Sequence, residues 1–433
     1  MTKAGIRKAY ELASERYAEM GVDAEAALSA LSGVSLSVHC WQGDDVGGFE
    51  RAGASLSGGG LQVTGGHPGR ARTVVELRLD LEKALSLIPG RHRVNLHAMY
   101  GEFGGERVDR DQYQPRHFQG WVDWASQLGL GLDFNATLFS HPKAESGFTL
   151  SHPDADIRRF WIEHVKRCRE IAAFLGRELG ACCLHNLWIP DGQKDAPVDR
   201  WGRRGLLKEA LDEIYAVEHP PEQMKDSMES KLFGIGSEAF VVGSHEFYLG
   251  YALSRGKMVC LDLGHFHPTE SVADKVSAVL QFSDELLLHI SRGVRWDSDH
   301  VVALTDDVRE VMAEIVRAEA LNRVHLALDF FDASMNRVGA WVLGARATLQ
   351  ALLSALLEPR RELGEAQRAG DSLARLALLE EAKVMPLGAV WDYHCLCAGV
   401  PTGEGWREEV ARYETDVTSK RGRCGGPVDP PRG

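Results

Sequence analysis

Met258–Pro268 reads MVCLDLGHFHP. A short apolar run ends on Asp262, Gly264 frees the chain to turn, and His265 follows at once. The same design recurs on both sides. Before it, MESKLFG (Met228–Gly234) brings Glu229. After it, LLLHIS (Leu286–Ser291) and RWDSDH (Arg295–His300) bring His289, Asp297 and Asp299, and RVHLALDFFD (Arg323–Asp332) brings Asp329. Strand after strand, an apolar run delivers a cation-binding group at its carboxyl end. That repetition predicts a barrel built around a metal site.

Working outward, VSLSVHCW (Val34–Trp41), RVNLHAMY (Arg93–Tyr100), LGLDFN (Leu130–Asn135) and LHNLWIP (Leu184–Pro190) read as further strands, making eight with those beginning near Met228, Met258, Leu286 and Val324. Amphipathic stretches such as RHFQGWVDWASQLG, DIRRFWIEHVKRCREIAAFLG and GRRGLLKEALDEIYAVE lie between them. Strands alternating with helices imply a parallel sheet, and eight such units without a Gly-x-Gly cofactor fingerprint favour a closed barrel. The expected class is α/β, a (β/α)8 TIM barrel with additional N- and C-terminal helices. Residues 1–335 form the barrel domain, including N-terminal helices over 1–32 and a Gly-rich loop over 43–72. That loop holds ten glycines between Gly43 and Gly69 but no phosphate-binding pattern. Residues 336–420 are Leu-, Ala-, Glu- and Arg-rich, a helical extension expected at subunit contacts. The Gly/Pro/Arg-rich tail 421–433 is expected to be disordered.

Composition narrows the function. The chain has 433 residues, 44% hydrophobic and 26% charged, ordinary for a globular enzyme, and a net charge of −13. An acidic balance disfavours nucleic acid, which needs a basic face. The N-terminus has no signal-like apolar core, and the longest apolar stretch, Val338–Leu357, is interrupted by Arg346, so no membrane partner is expected. The eight cysteines match neither a zinc site nor a secreted disulfide framework. A cytoplasmic enzyme acting on a small neutral molecule is the expectation.

Five carboxylates and two imidazoles, with no thiolate, favour Mn2+, Mg2+, Co2+ or Zn2+. One divalent ion would leave such a cluster at about −3 and two at about −1, so two ions are expected. Seven ligands also exceed what one open catalytic ion accepts. An open site would use His265, Asp297 and Asp299, with Glu229 shared. In extended backbone Asp297 and Asp299 point the same way. A closed site would use Glu229, Asp262, His289 and Asp329, with Asp332 the competitor for the last place. His267 and His300 are expected to be supporting or structural. His97, Asp133, Trp188 and Lys231 sit at strand ends and can line the same cavity; an aromatic floor with a few donors suits a sugar. Trp41 and Trp188 fit a core role equally well.

These residues carry a resemblance. HCWQGDD (His39–Asp45), NLHAMY, LGLDFN, WIPDG (Trp188–Gly192), ESKLFGIG, LDLGHFHPTE, SRGVRWDSDHVV and LDFFDASMNR resemble L-rhamnose isomerase of the enterobacterial type, in order, from about Ala9 to about residue 418. The resemblance implies a homotetramer and reversible conversion of L-rhamnose to L-rhamnulose. It implies two divalent ions, with Mn2+ commonly preferred at the catalytic position. It assigns His265, Asp297 and Asp299 to the catalytic ion and Glu229, Asp262, His289 and Asp329 to the structural one, choosing Asp329 over Asp332. Sugar contacts fall on Trp188, Lys231 and His97. The expected chemistry is a hydride shift from C2 to C1, with Lys231 stabilising the oxygen at C1 and Asp299 holding the water that moves the hydroxyl proton. A cis-enediol route is the alternative, as is a related rare-sugar isomerase. A metal-dependent phosphodiesterase barrel is disfavoured by the acidic charge, and a non-catalytic sugar- or metal-binding protein would need no open coordination position.

Overall fold

The computed structural model describes residues 1–50, 63–295 and 297–421, and only the backbone of residues 297–299. Eight parallel strands close into a barrel. They are β1 (Ser35–His39), β2 (Arg91–His97), β3 (Gly131–Asn135), β4 (Cys183–Trp188), β5 (Met224–Glu229), β6 (Met258–Asp262), β7 (Leu286–Ile290) and β8 (Val324–Leu328). Each pairs with the next in sequence, and β8 returns to β1 through Leu36 opposite Leu326. The (β/α)8 class read from the alternation is what forms.

Strands such as β6 (MVCLD) and β7 (LLLHI) read as nearly continuous apolar runs because both faces are covered. One set of alternating residues, including Leu36, Val38, Val94, Leu96, Leu286, Leu288, Leu326 and Leu328, packs outward into the main core beneath the helices. The other set points inward, where Leu184, Met258, Cys260, Leu287 and Ala327 form a separate small cluster. Two residues further along each of those four strands or strand exits stand Asn186, Asp262, His289 and Asp329. The period of two therefore lifts the polar groups onto one layer at the carboxyl end.

Most expected elements lie where the pattern puts them. One strand does not: the segment beginning at Met228 is the exit of β5, whose body is MKDSME. Lys225, Asp226 and Ser227 interrupt the apolar run. They are tolerated because Asp226 is paired with Arg169 at 2.9 Å and Ser227 bonds Asn186 at 2.9 Å. The helix after β3, Ala155–Leu179, is capped by Asp154, whose carboxylate accepts from Asp156 and Ile157 N–H, and it ends on Gly180 at φ 61°.

Two helices, Lys3–Glu19 and Ala24–Gly33, precede the barrel, and Arg337–Leu356 follows β8 and packs against the barrel. Arg346 in its middle is buried, bonded to the Leu87 and Pro401 carbonyls and set over the Trp391 ring. No single helix among the described residues is long and apolar enough to cross a membrane. Helices Arg360–Arg368, Ser372–Lys383, Leu387–Cys397 and Gly405–Asp416 follow. The middle of the Gly-rich loop, 51–62, and the tail from 422 lie outside the described residues, so the expectations for them go with them.

Candidate metal centre and sugar cleft

Glu229 ends β5, Asp262 ends β6, His289 sits one residue before the end of β7, and Asp329 follows β8 directly. One ligand atom from each lies within 4.8 Å of every other. His289 Nδ1 is 3.3 Å from Glu229 Oε2, 3.2 Å from Asp329 Oδ2 and 4.0 Å from Asp262 Oδ2. Asp332 is elsewhere: its carboxylate accepts from Ser334 N and Oγ, capping a turn. The difference is one of parity and reach, since Asp329 continues the inward row of β8 and Asp332 does not.

Each carboxylate has one oxygen held by a donor, and in Asp262 and Asp329 the other oxygen faces His289. Asp262 Oδ1 accepts from Gly264 N at 2.7 Å and Ser291 Oγ at 2.8 Å. Asp329 Oδ1 accepts from Trp41 Nε1 at 3.1 Å, and Glu229 Oε2 from Asn186 Nδ2 at 2.6 Å. Such outer bonds orient metal ligands. Sequence reasoning missed Ser291 and Asn186 and left Trp41 undecided; the only signal was their parity with the inward row, since their partners lie on other strands.

The donor set fits a cation. Glu229 Oε1 and both ring nitrogens of His289 are buried without a hydrogen-bond partner among the described residues. Each such group costs about 1–3 kcal/mol, so it calls for an explanation. Carboxylate oxygens lie within 3.3 Å of His289 Nδ1 yet not in hydrogen-bonding directions. Oxygens grouped around a nitrogen in this way suit a positive ion among them.

The electrostatics agree. Burial pushes the Asp262 carboxyl up to about 7, and the Glu229 and Asp329 carboxylates push the same way. Burial opposes the charge on Glu229 too, but His289 and His265 hold it well below the carboxylate range. Burial likewise opposes the charge on Asp329, which His289 holds down. His289 is driven well above the usual imidazole range against burial, with Cys260, Glu229 and Asp329 acting on it. Burial drives the Cys260 thiol up, so it stays neutral and the two carboxylates are the effective partners. Protonated imidazole thus supplies the positive charge that a cation would otherwise supply. Cys260 forms a second close group with Glu229 and His289, where the sequence reading expected no sulfur. It lies two residues before Asp262 on the same inward row, one layer deeper.

His265 stands across Glu229, its Nδ1 3.0 Å from Oε1. That nitrogen is also 3.0 Å from the Ser230 carbonyl. A carbonyl only accepts, so Nδ1 carries the proton in the neutral ring and Nε2 keeps its lone pair. The side chains of Asp297 and Asp299, its expected companions, lie outside the described residues. The backbone of Asp297–His300 is extended and pairs antiparallel with Arg292–Val294, just after β7. His267 is half-buried and bonds Thr269 at 2.8 Å.

Above the cluster, Trp41, His97, Asn135, Phe139, Trp188 and Lys231 line the cavity. His97 is buried, bonded to Thr137 Oγ1 at 3.1 Å, and burial pushes it down to about 4, so it is neutral. Lys231 Nζ lies 5.8 Å from the Trp188 ring centre. Trp188 and Lys231 also border a neighbouring cleft of about 280 Å³. They are the hinge between the cluster and that space, which is of a size to take a monosaccharide. Asp133 does not join them. It points inward lower in the barrel, where Arg93 and Ser37 bind it, and Asn135, one step up the same row, takes its expected place.

A parallel barrel with buried carboxylates and imidazoles converging beside a polar–aromatic cleft at its carboxyl end defines an enzyme of the metal-dependent TIM-barrel class. The family model for L-rhamnose isomerase (RhaA) matches residues 4–421. The chain is 57% identical to L-rhamnose isomerase of Rhodopirellula baltica over 422 residues, 97% of this chain and 98% of that one. It is 55% identical to that of Bacteroides thetaiotaomicron over 416 residues, 96% of this chain and 99% of the other. Among solved structures it is similar to L-ribulose 3-epimerase at 13% identity and TM-score 0.45, across 77% of this chain and 97% of that one. The chain belongs to the L-rhamnose isomerase family, metal-dependent aldose–ketose isomerases.

Proposed function

We propose that this chain interconverts L-rhamnose and L-rhamnulose as the first step of L-rhamnose degradation. The observation that carries this reading is the convergence of Glu229, Asp262, His289 and Asp329 beside the Trp188–Lys231 cleft. Glu229, Asp262, His289 and Asp329 would hold a structural ion. His265, Asp297 and Asp299, with Glu229 shared, would hold the catalytic one. Mn2+ is the preferred ion, with Zn2+, Co2+ or Mg2+ possible at either position. A divalent cation there supplies Lewis acidity toward the sugar's first carbonyl and hydroxyl oxygens.

The chain's own groups do the rest. Trp188 stacks on the apolar face of the open-chain sugar, and His97, neutral, hydrogen-bonds a hydroxyl. Lys231, on the exit of β5 two residues past Glu229, stabilises negative charge developing at O1 as hydride moves from C2 to C1. Asp299 would hold the water that carries the proton of the C2 hydroxyl to O1. The cis-enediol route, which needs a general base at the C2 proton, is the alternative. Turnover of L-rhamnose with added Mn2+ should yield a ketose. In deuterated water the product should carry almost no deuterium at C1; heavy incorporation would sink the hydride shift, and absence of ketose would sink the activity.

We further propose a cytoplasmic homotetramer, with residues 1–335 as the catalytic domain and 336–420 at subunit contacts. Helix Ser372–Lys383 supports this, since none of its residues is buried, with Leu373 79% and Leu376 52% exposed. Sedimentation should give four times the chain mass; a monomer would contradict it.

A further inference from the structure

Inside the barrel, at the ligand layer and just below it, buried amides join successive strands. Asn135 Nδ2 donates to Asn95 Oδ1 at 2.6 Å, and Asn135 stands in register with Asn186, which stands in register with Ser227. Asn186 differs from the others because its amide reaches a ligand. Its Nδ2 donates to Glu229 Oε2 at 2.6 Å, while its Oδ1 accepts from Ser227 Oγ at 2.9 Å. Asn186 is 2% exposed and Glu229 2%.

The orientation of that amide is determined. A flipped Asn186 would set its oxygen against a carboxylate oxygen, so the Nδ2 must face Glu229. One Glu229 oxygen is thereby tied toward His289, at 3.3 Å, and the other, Oε1, faces His265, whose Nδ1, at 3.0 Å, gives its proton to the Ser230 carbonyl rather than to Oε1. We propose that Asn186 is the positioning residue that divides Glu229 between two cation sites, by holding Oε2 on the His289 side and freeing Oε1 for the His265 side. This rests on the two-ion reading of the site.

The chain as it exists, freed of metal by chelation, should be titrated with Mn2+ while free ion is followed by its paramagnetic resonance signal. The unmodified chain should take up two equivalents. In Asn186→Leu, matched in size but without a donor, one binding step should weaken by about 10- to 100-fold, as for other groups that orient ligands. Asn186→Ala serves if the Leu variant does not fold. Asn95→Ala loses a buried amide bond of the same kind that touches no ligand, so it should lower the melting temperature and leave both binding steps intact. Unchanged binding in a folded Asn186 variant, or equal weakening in Asn95→Ala, would overturn the positioning role. A single equivalent bound by the unmodified chain would instead overturn the two-ion reading, and the proposal with it.

Discussion

Asp133 and Asp262 both point into the barrel and both are almost wholly buried, yet their surroundings drive them in opposite directions. Asp133, low in the barrel, is met by Arg93 through Nε at 2.9 Å and Nη2 at 2.7 Å, by Ser37 Oγ at 2.7 Å and by Leu184 N at 2.9 Å. Burial works against its charge, but those bonds hold its carboxyl below the usual range. Asp262, at the rim, has two donors on one oxygen and carboxylates as neighbours, and burial drives it up to about 7. The lower layer is a completed network that stabilises the closed barrel. The upper layer is left incomplete in charge, and an incomplete buried cluster is what a cation-binding site requires.

The largest effect should come from breaking the rim. Glu229→Gln removes the carboxylate common to both expected sites and should lower kcat by on the order of 10³-fold or more, about 4 kcal/mol of barrier. The melting temperature should fall less than the activity does, because the amide keeps the shape of the side chain, although the pairing of its charge with His289 and His265 is lost. Steady-state assays with Mn2+ and calorimetry check this; a collapse in stability with activity retained would reverse the contrast. At the lower layer the order inverts. Arg93→Met strands the Asp133 charge and should cost about 3 kcal/mol of stability by denaturant unfolding, with Mn2+ uptake intact in the folded protein.

Acidity sharpens the comparison. With its pKa raised in the folded state, Asp262 favours folding most below about 4, and that contribution is lost as pH rises to about 7. With its pKa depressed, Asp133 stabilises above about 4, and its contribution is lost as pH falls below that value. In metal-free protein, Asp262→Asn should therefore flatten the stability profile between about pH 4 and 7, leaving the acid limb in place. Unfolding curves across pH would show an unchanged profile if the rim carboxyl were already compensated. The smallest effect belongs to Asp332→Ala, which removes a partly exposed turn cap: about 1 kcal/mol or less, with metal content unchanged by elemental analysis. Loss of metal there would return Asp332 to the ligand set.

Much of this was legible in the chain. Apolar runs of strand length, separated by amphipathic stretches, prescribed the barrel, because alternation and helical periodicity are properties of neighbouring residues. A polar group closing run after run marked the rim, and the inward row through Cys260 and Asp262 follows from a period of two. β5 was misplaced because its polar residues find partners, Arg169 and Asn186, that its own sequence does not display. Asp133 looked like a cavity residue for the same reason.

The sequence by itself determined the architecture, the family and, Cys260 apart, the candidates for binding a cation. Only the tertiary structure decided that Asp329 turns inward while Asp332 caps a turn, that Trp41, Asn186 and Ser291 hold the carboxylates, and which oxygen each carboxylate presents. Those outcomes depend on hydrogen bonds between strands far apart in the chain, such as Trp41 to Asp329, and a directional bond exists only once both partners are fixed in space.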